Sequence, residues 1–148
     1  MAHLFLKDTF DNYCLVSADI KTFCTFSIDG QFDRNFYKND ETFSTDNEKR
    51  YCSWSELKAT ATNLIKGHNT PLFMKFVFSI SPEILSEDSA GIAGIEALTL
   101  TIRYDENALT VASAVNRRSF SLDRTIDGLW DKKAEKLLLS TSLTFDEE

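Results

Sequence analysis

The sequence predicts an α+β fold in which a largely antiparallel sheet is packed by two helices. Several segments alternate apolar and polar residues, as half-buried strands do. Two other segments repeat apolar residues at the 3.6-residue period of a helix, and turn residues separate the alternating segments. The predicted strands are residues 13–28, 31–37, 72–80, 95–104, 108–115 and 119–122, and the predicted helices are residues 53–66 and 123–139.

The first alternating segment is long for a single strand. Its apolar residues fall on even positions from 13 to 28, whereas a strand usually has about three to ten residues. We therefore expect two strands, or one strand that bends near Asp19–Lys21. Asp29-Gly30 follows and predicts a type I′ hairpin turn into the next strand, because glycine tolerates the positive φ that this turn needs.

The first helix is indicated by Ser53 and Glu56, which have the spacing of a capping box, and by Gly67, which is a typical helix stop. After it, residues 72–80 are apolar on both parities. Such a strand is buried on both faces, so we expect it in the centre of the sheet.

The centre of the chain predicts an antiparallel meander with one aliphatic face. Residues 95–104 and 108–115 alternate on either side of Asp105-Glu106-Asn107, which suits a three-residue hairpin loop. Asn116-Arg117-Arg118 predicts a second turn, into the strand at 119–122. Asp123 then caps the last helix.

The chain of 148 residues reads as one domain, residues 1–148, because no linker divides it. The polar run 38–50 predicts a mobile surface loop, and the acidic residues 140–148 predict a frayed tail.

Composition excludes some classes of function. The net charge of −7 argues against a general affinity for nucleic acid or for anionic membranes, both of which require Lys and Arg to neutralise phosphates. No segment has the length of apolar sequence that a membrane span needs.

The odd number of cysteines, Cys14, Cys24 and Cys52, predicts reduced thiols and hence a cytoplasmic protein. The even parity of Cys14 and Cys24 further predicts that these two thiols are buried.

The sequence contains no catalytic signature. Its two histidines, His3 and His68, have no neighbours at metal-ligand spacing, and the cysteines are too far apart for a zinc site. A nucleophile elbow and a glycine-rich phosphate loop are both absent. We therefore predict no catalytic residue, no metal and no cofactor, and we favour a protein that is not an enzyme.

Two functions stay open at this stage. The first is a protein-interaction or self-assembly module, in which aromatic residues such as Phe36 and Tyr37 anchor the interface. The second is a small-ligand-binding protein or enzyme with a pocket between the sheet and the helices. Its candidate polar contacts are Arg34, Arg103, Tyr104, Arg117 and Arg118. Arg103 is the strongest of them, because it lies among threonines, and the pair Arg117-Arg118 suits an anion. A DNA-clamp-like fold with a role related to nucleic acid comes third, as a fold analogy.

Several short segments also resemble an uncharacterised family of small proteins from clostridia and related Firmicutes. The segments are Lys7–Asp11, Thr22–Gly30, Phe36-Tyr37, Trp54, Leu64–Gly67, Ile102–Tyr104, Phe120–Asp123 and Trp130-Asp131. This resemblance implies a single-domain, cytoplasmic, bacterial protein. It carries no catalytic residues, because the family is a domain of unknown function.

Overall fold

The computed structural model describes residues 5, 10–39, 50–65, 70–82, 94–105, 108–117 and 125–140. Its elements in chain order are β1 (Cys14–Lys21), β2 (Thr25–Asp29), a 3-10 helix (Arg34–Tyr37), α1 (Trp54–Leu64), β3 (Phe73–Ile80), β4 (Ile95–Asp105), β5 (Ala108–Arg117) and α2 (Thr125–Ser140). The strands form one antiparallel sheet in the order β2-β1-β3-β4-β5. The predicted α+β fold is confirmed, and β3 has the predicted central position.

One face of the sheet forms the core. It contributes the fully buried residues of β1, β3 and β4: Leu15, Ala18, Ile20, Phe76, Phe78, Leu98 and Leu100. Trp54 of α1 packs on this face with its ring centroid 5.4 Å from that of Phe76. Trp130 of α2 is also fully buried, and its indole N–H donates to the carbonyl oxygen of Thr99 at 3.2 Å. Both helices therefore cover the same face.

The long first segment forms two strands, as one of the two expected arrangements predicted. However, the turn between them lies at Thr22–Cys24, where the Thr22 N–H donates to the Cys24 carbonyl at 2.9 Å. The predicted hairpin at Asp29-Gly30 is therefore wrong. A β-bulge between Leu15 and Ser17 shifts the parity, so that Leu15 rather than Val16 is buried.

The two cysteines that were expected in the core are not there. Cys14 precedes the bulge and is only half-buried, while Cys24 lies in the turn and is exposed. The turn at Thr22–Cys24 and the bulge that follows Cys14 account for both errors.

The predicted strand at 31–37 is wrong, because the chain forms a 3-10 helix there. The carboxylate of Asp33 accepts from the Asn35 backbone N–H at 2.9 Å and caps this helix. A local side-chain cap of this kind favours a helical turn over an extended strand, whatever the alternation of Phe32, Arg34 and Phe36.

The helices and the second hairpin differ from their predictions mainly at the ends. At the start of α1, the Glu56 carboxylate accepts from the Ser53 N–H at 3.5 Å and from its hydroxyl at 2.9 Å, which confirms the capping box. The pairing of β4 with β5 extends from Asp105 opposite Ala108 to Ile95 opposite Arg117. Two residues rather than three therefore connect these strands, and Arg117 belongs to β5 rather than to a turn.

Some predictions lie outside the described residues. They are the strand at 119–122, Arg118, residues 40–49 of the predicted loop and residues 141–148 of the predicted tail.

Candidate interaction surface

Strand β2 is the outer strand at one end of the sheet order. Its five residues alternate in exposure, with Thr25, Ser27 and Asp29 exposed and Phe26 and Ile28 half-buried. The side chains of Phe26 and Ile28 therefore share the face that carries the core, while the three polar side chains share the opposite face. A strand in this position has one side that β1, its only neighbour among the described strands, does not cover.

The hydrogen bonds to β1 show which backbone groups face outward. Gly30 donates to the Val16 carbonyl at 3.0 Å, and Thr22 donates to the Cys24 carbonyl at 2.9 Å. Hydrogen-bonded pairs alternate with non-hydrogen-bonded pairs in an antiparallel ladder, so the even residues of β2 bond to β1. The N–H and C=O groups of Thr25, Ser27 and Asp29 consequently point away from the sheet.

Two exposed aromatic side chains flank β2 along the chain. Phe23, in the turn before β2, is 91% exposed, and Phe36, in the 3-10 helix after β2, is 83% exposed. Phe23 contacts Phe26 edge-on with ring centroids 6.0 Å apart, and Phe36 contacts Tyr37 edge-on at 5.1 Å. Tyr37 in turn stacks on Phe32 at 5.8 Å. Large apolar side chains at such exposure are typical of binding surfaces when they occur together.

The end of β2 is held in place by the segment that leads into α1. Cys52 donates to the Gly30 carbonyl at 2.8 Å and accepts from the Leu15 N–H at 2.8 Å. Tyr51 and Gln31 form an isolated antiparallel bridge beside it. These contacts fix where the chain leaves β2 and hence where the 3-10 helix with Phe36 begins.

The candidate arginines are spread over the molecule. Arg34 is exposed in the 3-10 helix near Phe36 and Tyr37. Arg103 is exposed on β4, where it bonds Asp105 at 3.1 Å and lies over the Phe73 ring at 5.3 Å from its centroid. Arg117 lies at the far end of β5 and is largely buried against α2, where both of its terminal nitrogens bond the Asp127 carboxylate. The structure therefore does not bring these arginines into one site.

A cleft of about 470 Å³ lies at the end of the sheet where β1 ends and β3 begins. Its lining residues are Lys21, Thr70, Pro71, Leu72, Phe73, Tyr104 and Asp105. Of the residues predicted to contact a ligand, Tyr104 lines this cleft. Arg103 is next to the cleft, because it contacts Phe73 and Asp105, which both line it. The cleft is at the sheet end, whereas the pocket expected from the sequence was between the sheet and the helices.

Within the described ranges, no three His, Cys, Asp or Glu side chains come together in a way that could hold a metal ion. In the same part of the chain, no helix is both long and apolar enough to cross a membrane.

Burial raises the pKa of the Tyr13 phenol above its usual value. Tyr13 precedes the start of β1, whereas the cleft lies where β1 ends.

The sequence predicts that Phe36 anchors an interface, but it does not identify β2 as an edge strand. Strand order depends on pairing between distant segments, and alternation within one strand does not reveal it. The only local signals were the short length of β2 and the polar character of Thr25, Ser27 and Asp29.

Comparison with known proteins identifies the family of the chain. The sequence profile of a family described as a family of unknown function (DUF5721) matches residues 3–146, and the chain belongs to this family. Neither the curated proteins nor the solved structures contain a match to it.

Proposed function

We propose that this member of the DUF5721 family is a non-catalytic module that binds protein through the outer edge of β2. The observation that carries the proposal is an edge strand whose backbone groups point outward, flanked along the chain by two exposed aromatic side chains, Phe23 and Phe36. An extended segment that adds to such an edge gains main-chain hydrogen bonds along the strand. Aromatic residues that flank the strand then add most of the apolar contact area.

Burial of the exposed aromatic side chains against a partner would be favourable. Each aromatic side chain that becomes buried removes on the order of 100 Å² or more of apolar surface from water, at about 25 cal/mol per Å². Phe36 and Phe23 are largely exposed in the single chain, so their burial in an interface would still contribute this free energy.

Site-specific photo-crosslinking in the producing cells tests the proposal. A photoreactive phenylalanine analogue replaces Phe36 in one variant and Phe23 in a second. In the control it replaces Leu129, which is 46% exposed on α2 at the other end of the sheet. We expect a discrete protein adduct, identified by mass spectrometry, from the first two positions but not from the third. Equal adducts at all three positions, or none at any, would contradict the proposal.

A second candidate function is the binding of a small ligand in the cleft at the sheet end. Its support is that the cleft is lined both by the apolar side chains of Pro71 and Phe73 and by Lys21, Asp105 and Tyr104, which carry charged or polar groups. Native mass spectrometry of the purified protein tests it without any choice of ligand. An added mass that disappears in the Tyr104→Ala variant would favour this function, and its absence from the unmodified protein would count against it.

We also infer that the protein works in the cytoplasm of a bacterium. The inference is supported by the odd number of cysteines, by the acidic composition and by the resemblance to clostridial sequences. Fractionation of the producing organism, with an antibody against the chain, tests this point.

A further inference from the structure

We propose that the partner at the β2 edge is a second copy of this chain, and that the two β2 strands pair antiparallel about a twofold axis at Ser27. This inference rests on the proposed function and specifies its partner. It would join two five-stranded sheets into one continuous sheet across the dimer.

The outward backbone groups of two β2 strands match each other. The N–H and C=O groups of Thr25, Ser27 and Asp29 point outward, as the hydrogen bonds to β1 require. In the twofold register, Ser27 opposes the partner's Ser27, and Thr25 opposes the partner's Asp29. Each outward N–H then meets an outward C=O, so the whole of β2 pairs and no outward group of these three residues is left over.

The side chains of the two β2 strands also match each other. On the face that carries the polar residues, the register places Thr25 against the partner's Asp29 and opposes no like charges. On the other face it places Phe26 against the partner's Ile28, both half-buried in the single chain. Aromatic and β-branched residues in such a cross-strand pair stabilise a sheet. A register centred on Asp29 would instead oppose two carboxylates.

The exposed aromatic side chains lie in the chain segments just outside the paired strands. The same register places Phe23 opposite the partner's Gln31, which precedes the 3-10 helix that carries the partner's Phe36. A second copy therefore brings the turn that carries Phe23 near the segment that leads to the partner's Phe36.

Opposite charges at position 27 test the register, because only a twofold axis at Ser27 places this residue against itself. One variant is Ser27→Lys. The other is Ser27→Glu made together with Asp19→Asn, since Asp19 is the cross-strand neighbour whose carboxylate accepts from the Ser27 hydroxyl at 2.8 Å. The control, Ala112→Lys, adds the same charge to an exposed position of β5 at the opposite edge.

Native mass spectrometry and light scattering over a range of protein concentrations give the readout. We expect the unmodified chain and Ala112→Lys to dimerise alike. Each position-27 variant alone should dimerise about fivefold more weakly, and a mixture of the two should form the heterodimer in preference to either homodimer. Circular dichroism verifies that every variant is folded.

The outcomes separate this inference from the proposed function. A mixture that gains no heterodimer, or an Ala112→Lys variant that dissociates as strongly as Ser27→Lys, overturns the twofold pairing. An unmodified chain that stays monomeric overturns it as well. If the photo-crosslinks from Phe23 and Phe36 then identify a different protein, the proposed function stands without the homodimer, and if they identify none, both fail.

Discussion

Gly30 lies against the backbone of Leu15 so closely that a Cβ on Gly30 would stand 1.7 Å from the Leu15 carbonyl oxygen. The approach arises because Cys52 bonds both Gly30 and Leu15, which draws the end of β2 towards the bulged start of β1. Glycine is therefore needed here for space. The sequence pattern Asp-Gly suggested a turn, but the glycine serves a close contact between two backbones instead.

Replacing Gly30 with Ala should destabilise the protein by about 3 kcal/mol or more. The added methyl group meets backbone rather than a flexible side chain, so β1 or β2 has to move to relieve the clash. Urea unfolding, monitored by circular dichroism, measures the free energy of unfolding.

Gly128→Ala is the matched control for this substitution. Gly128 lies in α2, and nothing is within 4 Å of the Cβ that alanine would add. Alanine is a better helix former than glycine, so this variant should gain up to about 1 kcal/mol. A Gly30→Ala variant as stable as the unmodified chain would show that the contact with Leu15 is wrong.

The comparison of sequence with structure shows which features are local. The buried residues of β4, Leu98, Leu100 and Ile102, follow from simple alternation, because a regular strand keeps its parity along its length. The parity of β1 fails at Val16, where a bulge inserts one residue. Nothing in the local pattern marks that position.

The candidate surface shows the same limit at a larger scale. The exposure of Phe36 follows from its place in a loop-flanking segment, which the sequence suggests. Its relation to β2 depends on the sheet order and on the Asp33 cap that turns the chain into a 3-10 helix. The alternation of apolar and polar residues does not predict either the sheet order or this cap.

Arg117→Gln should destabilise the protein by about 2 kcal/mol. The Arg117 side chain is only 12% exposed and binds Asp127 of α2, and this ion pair joins β5 to α2. Removal of the guanidinium leaves the Asp127 carboxylate partly buried, with fewer charge-assisted hydrogen bonds. The free energy of unfolding in urea measures the loss.

Arg103→Gln is the control for the effect of an arginine ion pair as such. Arg103 and Asp105 are 53% and 46% exposed, so solvent screens their attraction, and the loss should stay below about 1 kcal/mol.

In the double variant Arg117→Gln with Asp127→Asn, the cost should be less than the sum of the two single costs. Strict additivity would mean that the two side chains act independently.

The burial of Tyr13 predicts a dependence of stability on alkaline pH. Burial raises the pKa of the Tyr13 phenol in the folded protein, so the folded chain holds this proton more tightly than the unfolded chain does. This contribution to stability is fully present below the unfolded pKa of about 10, and it is lost as the pH rises through the folded pKa. The free energy of unfolding should therefore fall more steeply above that pH in the unmodified chain than in a Tyr13→Phe variant.

The difference between these two proteins isolates Tyr13, because all other titrating groups are common to both. Denaturant unfolding at a series of pH values from neutral to alkaline gives the two profiles. Profiles that run parallel above the unfolded pKa would show that the phenol is not protected from ionisation in the folded state.

Phe36→Ala should lower the assembly of the protein without lowering its free energy of unfolding. Phe76→Ala is the comparison, because it removes a phenylalanine from the core. Phe76 is fully buried and its ring lies 5.4 Å from that of Trp54, so truncation should cost about 3–5 kcal/mol. Phe36 is 83% exposed, and the change in its free energy of unfolding should stay within about 0.5 kcal/mol. The same variant should nevertheless lower the assembled fraction in native mass spectrometry, because the ring is available to a partner rather than to the core. If Phe36→Ala lost stability and assembly together, Phe36 would be an ordinary structural residue and the edge of β2 would lose one of its two anchors.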